Sequence, residues 1–437
     1  MQRFLREAGR NWAWLVVAGS LVAVGFAVHS PYVAYIGYAF GLLLVLSHTL
    51  TRLWLEGVEV TREVTPDTVQ MGETVSVRIR VGKKAGLPAP WLYVADWFPR
   101  DFPLEGTAEC IGGLWVGRPW ELAYTLTCPR RGYHPLGPLW LETVDVFGLQ
   151  RRFKTDTQRD YVSVLPNVVY LETTRYLTRR PQGPVKITHR IYDDPTRIAN
   201  VREYVPGDPI KAIHWKVSAH MGRLHVKVYE PAVVSGGTVV LNLREDDFKP
   251  ERKEERIELA VTTAASLAYL LHACGEQVGL VTNAADAAER ARFVMPTVLS
   301  WSREDIEQDL QREEENTRLS PLCVPTLRTR DQAQKILANL ARVVPSHGLP
   351  AHTMLLHALP QLPRNAALLL VVPQVDGALA TVLMGLKERG LPITVFVIAD
   401  QAAYQEAQHY LIAHNIEVIH IEHERDLHEI HVGKSRR

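Results

Sequence analysis

Hydrophobic and polar positions follow three different patterns along the 437-residue chain. Between Arg10 and Arg52 there is no Asp, Glu, Lys or Arg across 41 positions. His29-Ser30-Pro31 divides that stretch, which predicts two membrane-crossing helices, about 11–28 and 32–50, each long enough for a hydrocarbon core of ~30 Å. Neither has the polar face of a soluble core helix. From Gly57 to about Leu171 the period becomes two. Val75, Val77, Ile79 and Val81 alternate with Ser76, Arg78 and Arg80, and Gly/Pro turn signals separate further short runs. This predicts an antiparallel β-sandwich over 57–171. From about Ser235 the pattern turns α/β. Apolar strands at Thr238–Leu243, Val278–Val281, Ala367–Val372, Ile393–Ile398 and Glu417–Ile421 alternate with helices at Glu251–His272, Ala378–Arg389 and Gln401–Ala413. Uninterrupted apolar strands imply burial on both faces, hence a mostly parallel sheet clothed by helices over 235–437. Residues 284–365, with helices at Arg303–Arg312 and Gln332–Val343, read as an insertion lying over that sheet.

The flanks of the first pattern set an orientation. Arg3, Arg6 and Arg10 precede the first apolar run, Arg52 follows the second, and the turn between them is uncharged. The positive-inside rule then places both ends in the cytoplasm, making a multi-pass anchor of residues 1–56 in the cell membrane. Trp12, Trp14 and Trp54 suit an aromatic belt at the interface. A cleaved signal peptide would account for the first run and leave the second unexplained.

Composition narrows the rest. Forty-nine basic and 48 acidic residues leave a formal charge of +1, giving no support for a nucleic-acid partner held by a global positive field. Cys110, Cys128, Cys274 and Cys323 stand far apart, without the spacing of a zinc knuckle, and read as free thiols. No phosphate-binding Gly-rich loop with its lysine and no G-x-S-x-G elbow occurs, so no enzyme or cofactor is expected.

The densest motif lies in the connecting region, 172–234. Arg202, Tyr204, Pro206, Gly207, Asp208, Lys211, Ile213, His214, Trp215 and Lys216 fall within fifteen positions. Val205-Pro206-Gly207 suits a tight turn. Asp208 reads as the N-cap of a short helix that starts at Pro209 and runs to about Ala219, with Gly222 ending it and a strand from Leu224. Two readings stand for the charged residues around Trp215. One is a surface that docks a partner or an anion; the other is an Arg202–Asp208 pair that locks the turn while Trp215 wedges between domains.

The pattern R-x-Y-x-x-G-D followed by basic-x-I-x-W, here Arg202, Tyr204, Gly207, Asp208, Lys211, Ile213 and Trp215, resembles the bacterial and archaeal family called domain of unknown function fifty-eight. Arg131-Gly132-Tyr133, Gly137-Pro138 and Asp145-Val146-Phe147-Gly148-Leu149 resemble further elements of it, with Val146 standing where proline is usual. The resemblance implies a membrane-anchored partner of a MoxR-type AAA+ ATPase, with a C-terminal domain like von Willebrand factor A. Such a domain would carry a metal site reading Asp-x-Ser-x-Ser after its first strand. This chain has Asn242-Leu243-Arg244-Glu245-Asp246 there, so no metal is expected, and Asp246 and Asp376 remain as weak candidates. His214, His220 and His225, and the C-terminal group His420, His423, His428 and His431, read as ordinary histidines. The sequence therefore points to a membrane-anchored, cytoplasm-facing scaffold or adaptor. The alternative is a membrane-bound hydrolase or metal-dependent binder using the strand ends near Asp246 and Asp376.

Overall fold

In the computed structural model the uncharged stretch forms helix α1 (Gln2–Ala27) and helix α2 (Pro31–Leu55). Helix α2 is long and apolar enough to cross a membrane, and the apolar part of α1 among the described residues is Trp14–Ala27. The two helices approach closely because Gly37 is buried. A Cβ there would meet Val22 Cγ2 at 2.6 Å and the Val22 backbone nitrogen at 2.8 Å. Gly41, spaced like half of a GxxxG seam, has open space around it. Outward-facing Tyr35, Ile36, Leu42, Val45 and Leu46 give the pair an apolar exterior.

The structure describes residues 2–156, 158–171, 193–205, 213–231, 236–289, 320–363 and 366–428, which cluster into two units dividing at Leu165/Pro166. The first unit continues from the helices into β1 (Val58–Thr65), β2 (Thr68–Gln70), β3 (Thr74–Lys83), β4 (Ala89–Asp96), β5 (Leu104–Gly106), β6 (Glu109–Leu114), β7 (Trp120–Thr127), β8 (Gly132–Leu136), β9 (Leu139–Val144), β10 (Arg151–Asp156) and β11 (Asp160–Leu165). Two four-stranded antiparallel sheets, β1-β3-β7-β5 and β10-β9-β4-β6, contribute to one core. The alternation read from the sequence is what fills it, with Val75, Val77, Ile79 and Val81 all buried. One departure from the all-antiparallel expectation is a third sheet, β2-β11-β8, in which β11 pairs parallel with β2. A polar staple crosses the core. The Arg62 guanidinium donates to both Asp96 carboxylate oxygens, at 2.5 and 3.1 Å, and the Tyr124 hydroxyl donates to Asp96 at 2.6 Å.

Helix α2 does not stop at Leu50. It runs to Leu55, and Trp54 and Leu55 enter the core of the β-rich unit. Trp54 therefore sits edge-on to Trp91, ring centroids 6.2 Å apart, instead of in an interfacial belt. The Lys83 ammonium, itself buried, closes the junction by donating to the carbonyls of Leu53 (3.2 Å), Trp54 (2.8 Å) and Glu56 (2.7 Å). These are carbonyls that a helix end leaves without partners.

The second unit begins earlier than the expected boundary after Leu171. Val169 and Leu171 are buried in its core, and the Val169 amide donates to Ser266 Oγ at 2.9 Å. A two-stranded ribbon, β12 (Asp193–Glu203) with β13 (His225–Pro231), and the short helix α3 (Trp215–Met221) come next. The chain continues through β14 (Gly237–Leu241), α4 (Lys253–Ala273), β15 (Val278–Thr282), β16 (Ala285–Asp286), β17 (Leu322–Leu327), α5 (Gln332–Arg342), β18 (Val343–Val344), α6 (Ala351–Ala358), β19 (Ala367–Val372), α7 (Gly377–Glu388), β20 (Ile393–Ile398), α8 (Gln401–Leu411), β21 (Glu417–Ile421) and α9 (Glu424–His428). The main sheet has the order β17-β15-β14-β19-β20-β21, parallel except for β17, with separate apolar clusters on its two faces.

Residues 284–365 are thus more than an elaboration lying over the sheet, because they supply its edge strand. Pro325 explains why β17 escaped the pattern. Proline cannot donate to a ladder, and it sits where the β15–β17 register shifts, on an edge. The expected helix at 303–312 lies outside the described residues.

Two substitutions test this architecture. Gly37→Leu is expected to destabilise the helix pair by roughly 1–3 kcal/mol through overpacking, with Gly41→Leu near neutral, as read from unfolding of the full chain in detergent. Equal effects would contradict the close approach at Gly37. Lys83→Met strands one buried and two part-buried carbonyls and should cost about 1–3 kcal/mol in the same measurement; an unchanged midpoint would mean that the helix end is held some other way.

Candidate functional site

In open α/β sheets the crevice beyond the carboxyl ends of the strands, where strand order reverses, is the natural place for a ligand. Here the order reverses around β14, and the residues that follow it are almost entirely polar. Asn242, fully buried, is the keystone. Its Nδ2 donates to Asp247 Oδ2 at 2.8 Å, and its Oδ1 accepts from the Arg244 amide at 3.1 Å and from Asn283 Nδ2 at 2.7 Å. Asn283, just past β15, donates also to the Leu349 carbonyl at 2.8 Å and accepts the Leu243 amide at 2.8 Å. Ser346 Oγ donates to the Asn283 carbonyl at 3.0 Å, and the Ser346 carbonyl accepts the Glu245 amide at 3.1 Å. Two buried amides and a hydroxyl thus satisfy one another across neighbouring strand ends.

Outside this cap lie four carboxylates, each already engaged. The His347 ring meets Asp246 at 2.9 Å through Nδ1 and Glu245 at 3.4 Å through Nε2. Arg244 Nη2 donates to Asp246 at 2.9 Å, and Lys253 donates to Glu245 at 2.5 Å. The His347 contact, with Arg244 assisting, holds the Asp246 carboxyl below its ordinary value. Asp376 caps α7, accepting the Leu379 amide at 2.7 Å. Asp247 is the exception in direction. Burial pushes its carboxyl up, Asp376 and Asp246 add like charge, and Asn242 and Arg244 pull against them.

The residues do not fit a divalent cation. An arginine bonds to one of the two acidic candidates, and the other is committed to a helix cap. Among the described residues no group of three or more His, Cys, Asp or Glu side chains converges to hold a metal. An aspartate in place of Asn242 would set two carboxylates against each other with no proton between them, so the amide is what allows the cap to close. Asp247, which feels Asp376, was missed in favour of its neighbour Asp246; Asn283, Ser346 and His347 were missed because they follow other strands.

The motif has a separate geometry. Ile213 bridges Val226, both buried, and the His214 amide donates to the His225 carbonyl at 2.8 Å, so this segment lies along β13. The helix then starts at Trp215 rather than Pro209. Its cap is His214, whose Nδ1 accepts the Val217 amide at 3.3 Å, and Gly222 closes it with φ of 69°. Pro206, Gly207, Asp208 and Lys211 lie outside the described residues. Buried Ser218 braces the helix, its Oγ accepting the His225 amide at 2.8 Å. On the outer side Trp215 is 65% exposed, and Met221, Leu224 and Val205 are exposed with it. Lys216 and Arg202 are exposed too, Tyr204 is half-buried, and Arg202 Nη1 donates to the Glu203 carbonyl at 3.2 Å.

The remaining candidates are quiet. His225 Nδ1 lies 2.9 Å from the Arg223 carbonyl, and His420 Nε2 lies 2.7 Å from the Ala399 carbonyl with its ring stacked on Tyr404. His431 lies outside the described residues. The four cysteines are free thiols, and burial pushes Cys128 up to about 11, far from a thiolate at neutral pH.

Asp247→Asn tests the electrostatics of the cap. A carboxyl raised in the folded state stabilises the fold below its unfolded pKa and loses that contribution as pH rises through the folded value. The amide variant keeps an acceptor for Asn242. It should therefore be more stable than the parent at neutral pH, with the difference closing below about pH 4. A gap that widens on acidification, measured by unfolding across pH, would reverse the assignment.

Comparison with known proteins places the motif. Residues 200–297 match the family described as "Protein of unknown function DUF58". The chain is 24% identical over 289 residues to the "Uncharacterized protein YeaD" of Bacillus subtilis (strain 168), covering 62% of this chain and 70% of that protein. Among solved structures, the CARDB domain of the PF1109 protein from Pyrococcus furiosus, crystallised with di-metal ions, is 19% identical. It covers 25% of this chain and 90% of that one, at a TM-score of 0.18. A FixG-related protein from Vibrio parahaemolyticus is 8% identical, covering 25% of this chain and 98% of that one, also at 0.18. Such scores are too small to bear on the fold or chemistry of this chain. The matched segment begins within β12 and covers α3, β13, the first parallel strands and the polar cap's first two members.

Proposed function

We propose that this protein is a membrane-anchored, cytoplasm-facing adaptor that binds a protein partner through the face carrying Trp215. The observation that carries the reading is that face: a large aromatic, 65% exposed, on a short helix whose far side is fixed by Ser218, Ile213 and Val226. Tryptophan on a preorganised support is a favourable interface anchor, because little freedom is lost when it is covered. Helices α1 and α2 act as a two-span hairpin, and Arg3, Arg6, Arg10 and Arg52 keep both ends on the cytoplasmic side. The sheet order of the second unit, with an antiparallel strand only at the β17 edge, favours a von Willebrand factor A-like domain whose metal position has become a self-satisfied polar cap. The resemblance named from the motif makes a MoxR-type AAA+ ATPase the first partner to test. Arg244 at the strand ends speaks against the metal-dependent alternative.

The test is co-purification of the full chain from membranes with such an ATPase. Trp215→Ala should lower ATPase recovery about tenfold or more while leaving the unfolding midpoint unchanged. Equal recovery would remove this face from the interface.

A further inference from the structure

A basic cleft of ≈ 630 Å³ opens where the last turn of α2 meets β10, entirely within the first unit. His48, Arg52, Arg151, Arg152 and Lys154 line it, with Glu56 as its acid. His48 and Arg52 are four residues apart, so they share a face of α2. Arg152 Nη2 lies 3.0 Å from His48 Nε2. Two of the cations have acidic partners. Arg52 Nε meets Glu56 at 3.0 Å, and Arg151 Nη2 meets Glu142 at 2.8 Å. Lys154 has a carbonyl, that of Val58, at 3.2 Å. Among the described residues no carboxylate reaches Arg152 within ion-pair distance. Four basic side chains against Glu56 and Glu142 leave a surplus of 4 − 2 = 2 positive charges.

The ordinary explanation for cations at a helix C-terminus is compensation of its partial negative charge. Here Lys83 already meets the carbonyls of Leu53, Trp54 and Glu56, so the cleft's cations are in excess of that need. They also crowd one another. Burial first, and then the Arg52 charge, hold Arg152 below its ordinary value, with Glu56 pulling the other way. Position along the helix identifies a source for one. The run of exposed apolar residues in α2 thins after Leu46, with Leu53 exposed beyond it, and Arg52 lies six residues past Leu46, about 9 Å along the axis. For a helix that crosses a bilayer, this is the level of the headgroups.

We propose that this cleft binds a phosphate group, presented by an anionic phospholipid headgroup, with Arg152 as the principal contact. A guanidinium fork and a second cation suit a phosphate's oxygens, and basic pockets at the cytoplasmic ends of membrane helices take such headgroups. The lipid source rests on the anchoring reading above; the phosphate chemistry does not.

The experiment compares the full chain in nanodiscs of phosphatidylcholine alone with discs that also contain phosphatidylglycerol, reading the unfolding midpoint and saturable lipid binding. The parent should gain stability in the anionic discs. Arg152→Gln should lose that gain and weaken binding about tenfold, while Arg80→Gln, on an exposed residue outside the cleft, keeps both. Equal losses in the two variants would overturn the site in favour of general surface charge, and so would no gain in the parent. A parallel titration with inorganic phosphate separates the sources. Phosphate that binds in neutral discs as tightly as the lipid overturns the headgroup assignment. Carbonate extraction of membranes tests the anchor on its own. If the chain is released, the anchoring reading and the headgroup source fall together, and the phosphate titration still decides the cleft.

Discussion

Lys83 holds three carbonyl oxygens at the point where α2 passes from an apolar exterior into the core of the β-rich unit. Removing an ammonium from water costs several kcal/mol, and burial does hold this one below the usual lysine value. Three charge-assisted hydrogen bonds to groups that otherwise have none offset that cost. The result is directional in a way that apolar packing is not. Trp54 and Leu55 bring the helix end into the core, but oily contact alone would tolerate rotation of the helix about its axis. The three carbonyls fix that rotation, and with it the direction in which His48 and Arg52 face β10. The geometry of the basic cleft is therefore inherited from Lys83.

The second unit solves a comparable problem with neutral groups. Strand ends in a parallel sheet leave amides and carbonyls pointing into one crevice, and here Asn242, Asn283 and Ser346 answer them. An amide side chain both donates and accepts, so a pair of them can close a network without adding net charge. That leaves Asp247 as the half-buried acid with raised affinity for a proton, and places Arg244, Lys253 and His347 around other acids. With its carboxylates engaged the site has little left for an incoming cation, and the group there that is buried without a hydrogen bond, Arg244 Nε, is a donor. The site does hold the carboxyl ends of β14 and β15 and the segment after β18 as one rigid edge.

Much of this was legible from pattern alone. A charge-free stretch with a central break leaves helices as the economical solution for the backbone, and strict alternation in β3 gave its buried face without ambiguity. What was not legible depends on partners distant in sequence. Trp54 at the end of an apolar helix reads the same whether its ring meets lipid or a protein core, and only Trp91 decides. Asn283 lies 41 residues from the amide it pairs with. Pro325 conceals an edge strand because proline argues against strands in general, though an edge is where it is tolerated. The motif helix was placed too early because Asp208 and Pro209 form a good start on paper. His214 caps the helix instead, since its own amide is held against His225. Asp246 was preferred to Asp247 because neighbouring residues in a tight turn point in different directions, and sequence does not say which one faces in.

Trp215 stands exposed on its short helix. Single exposed apolar residues are common on soluble surfaces and by themselves mean little. The difference here lies in how much structure is spent on presenting one. Ser218 is buried to hold a seven-residue helix, far below the length at which helices persist by themselves, and His214 and Gly222 bound it at either end. Were the indole merely tolerated, nothing would require its helix to be braced along β13. Fixing the backbone beneath it removes in advance part of the ordering cost that a partner's binding would otherwise have to meet. On the proposed reading, the bracing of this helix is what turns an exposed aromatic into a prepared contact.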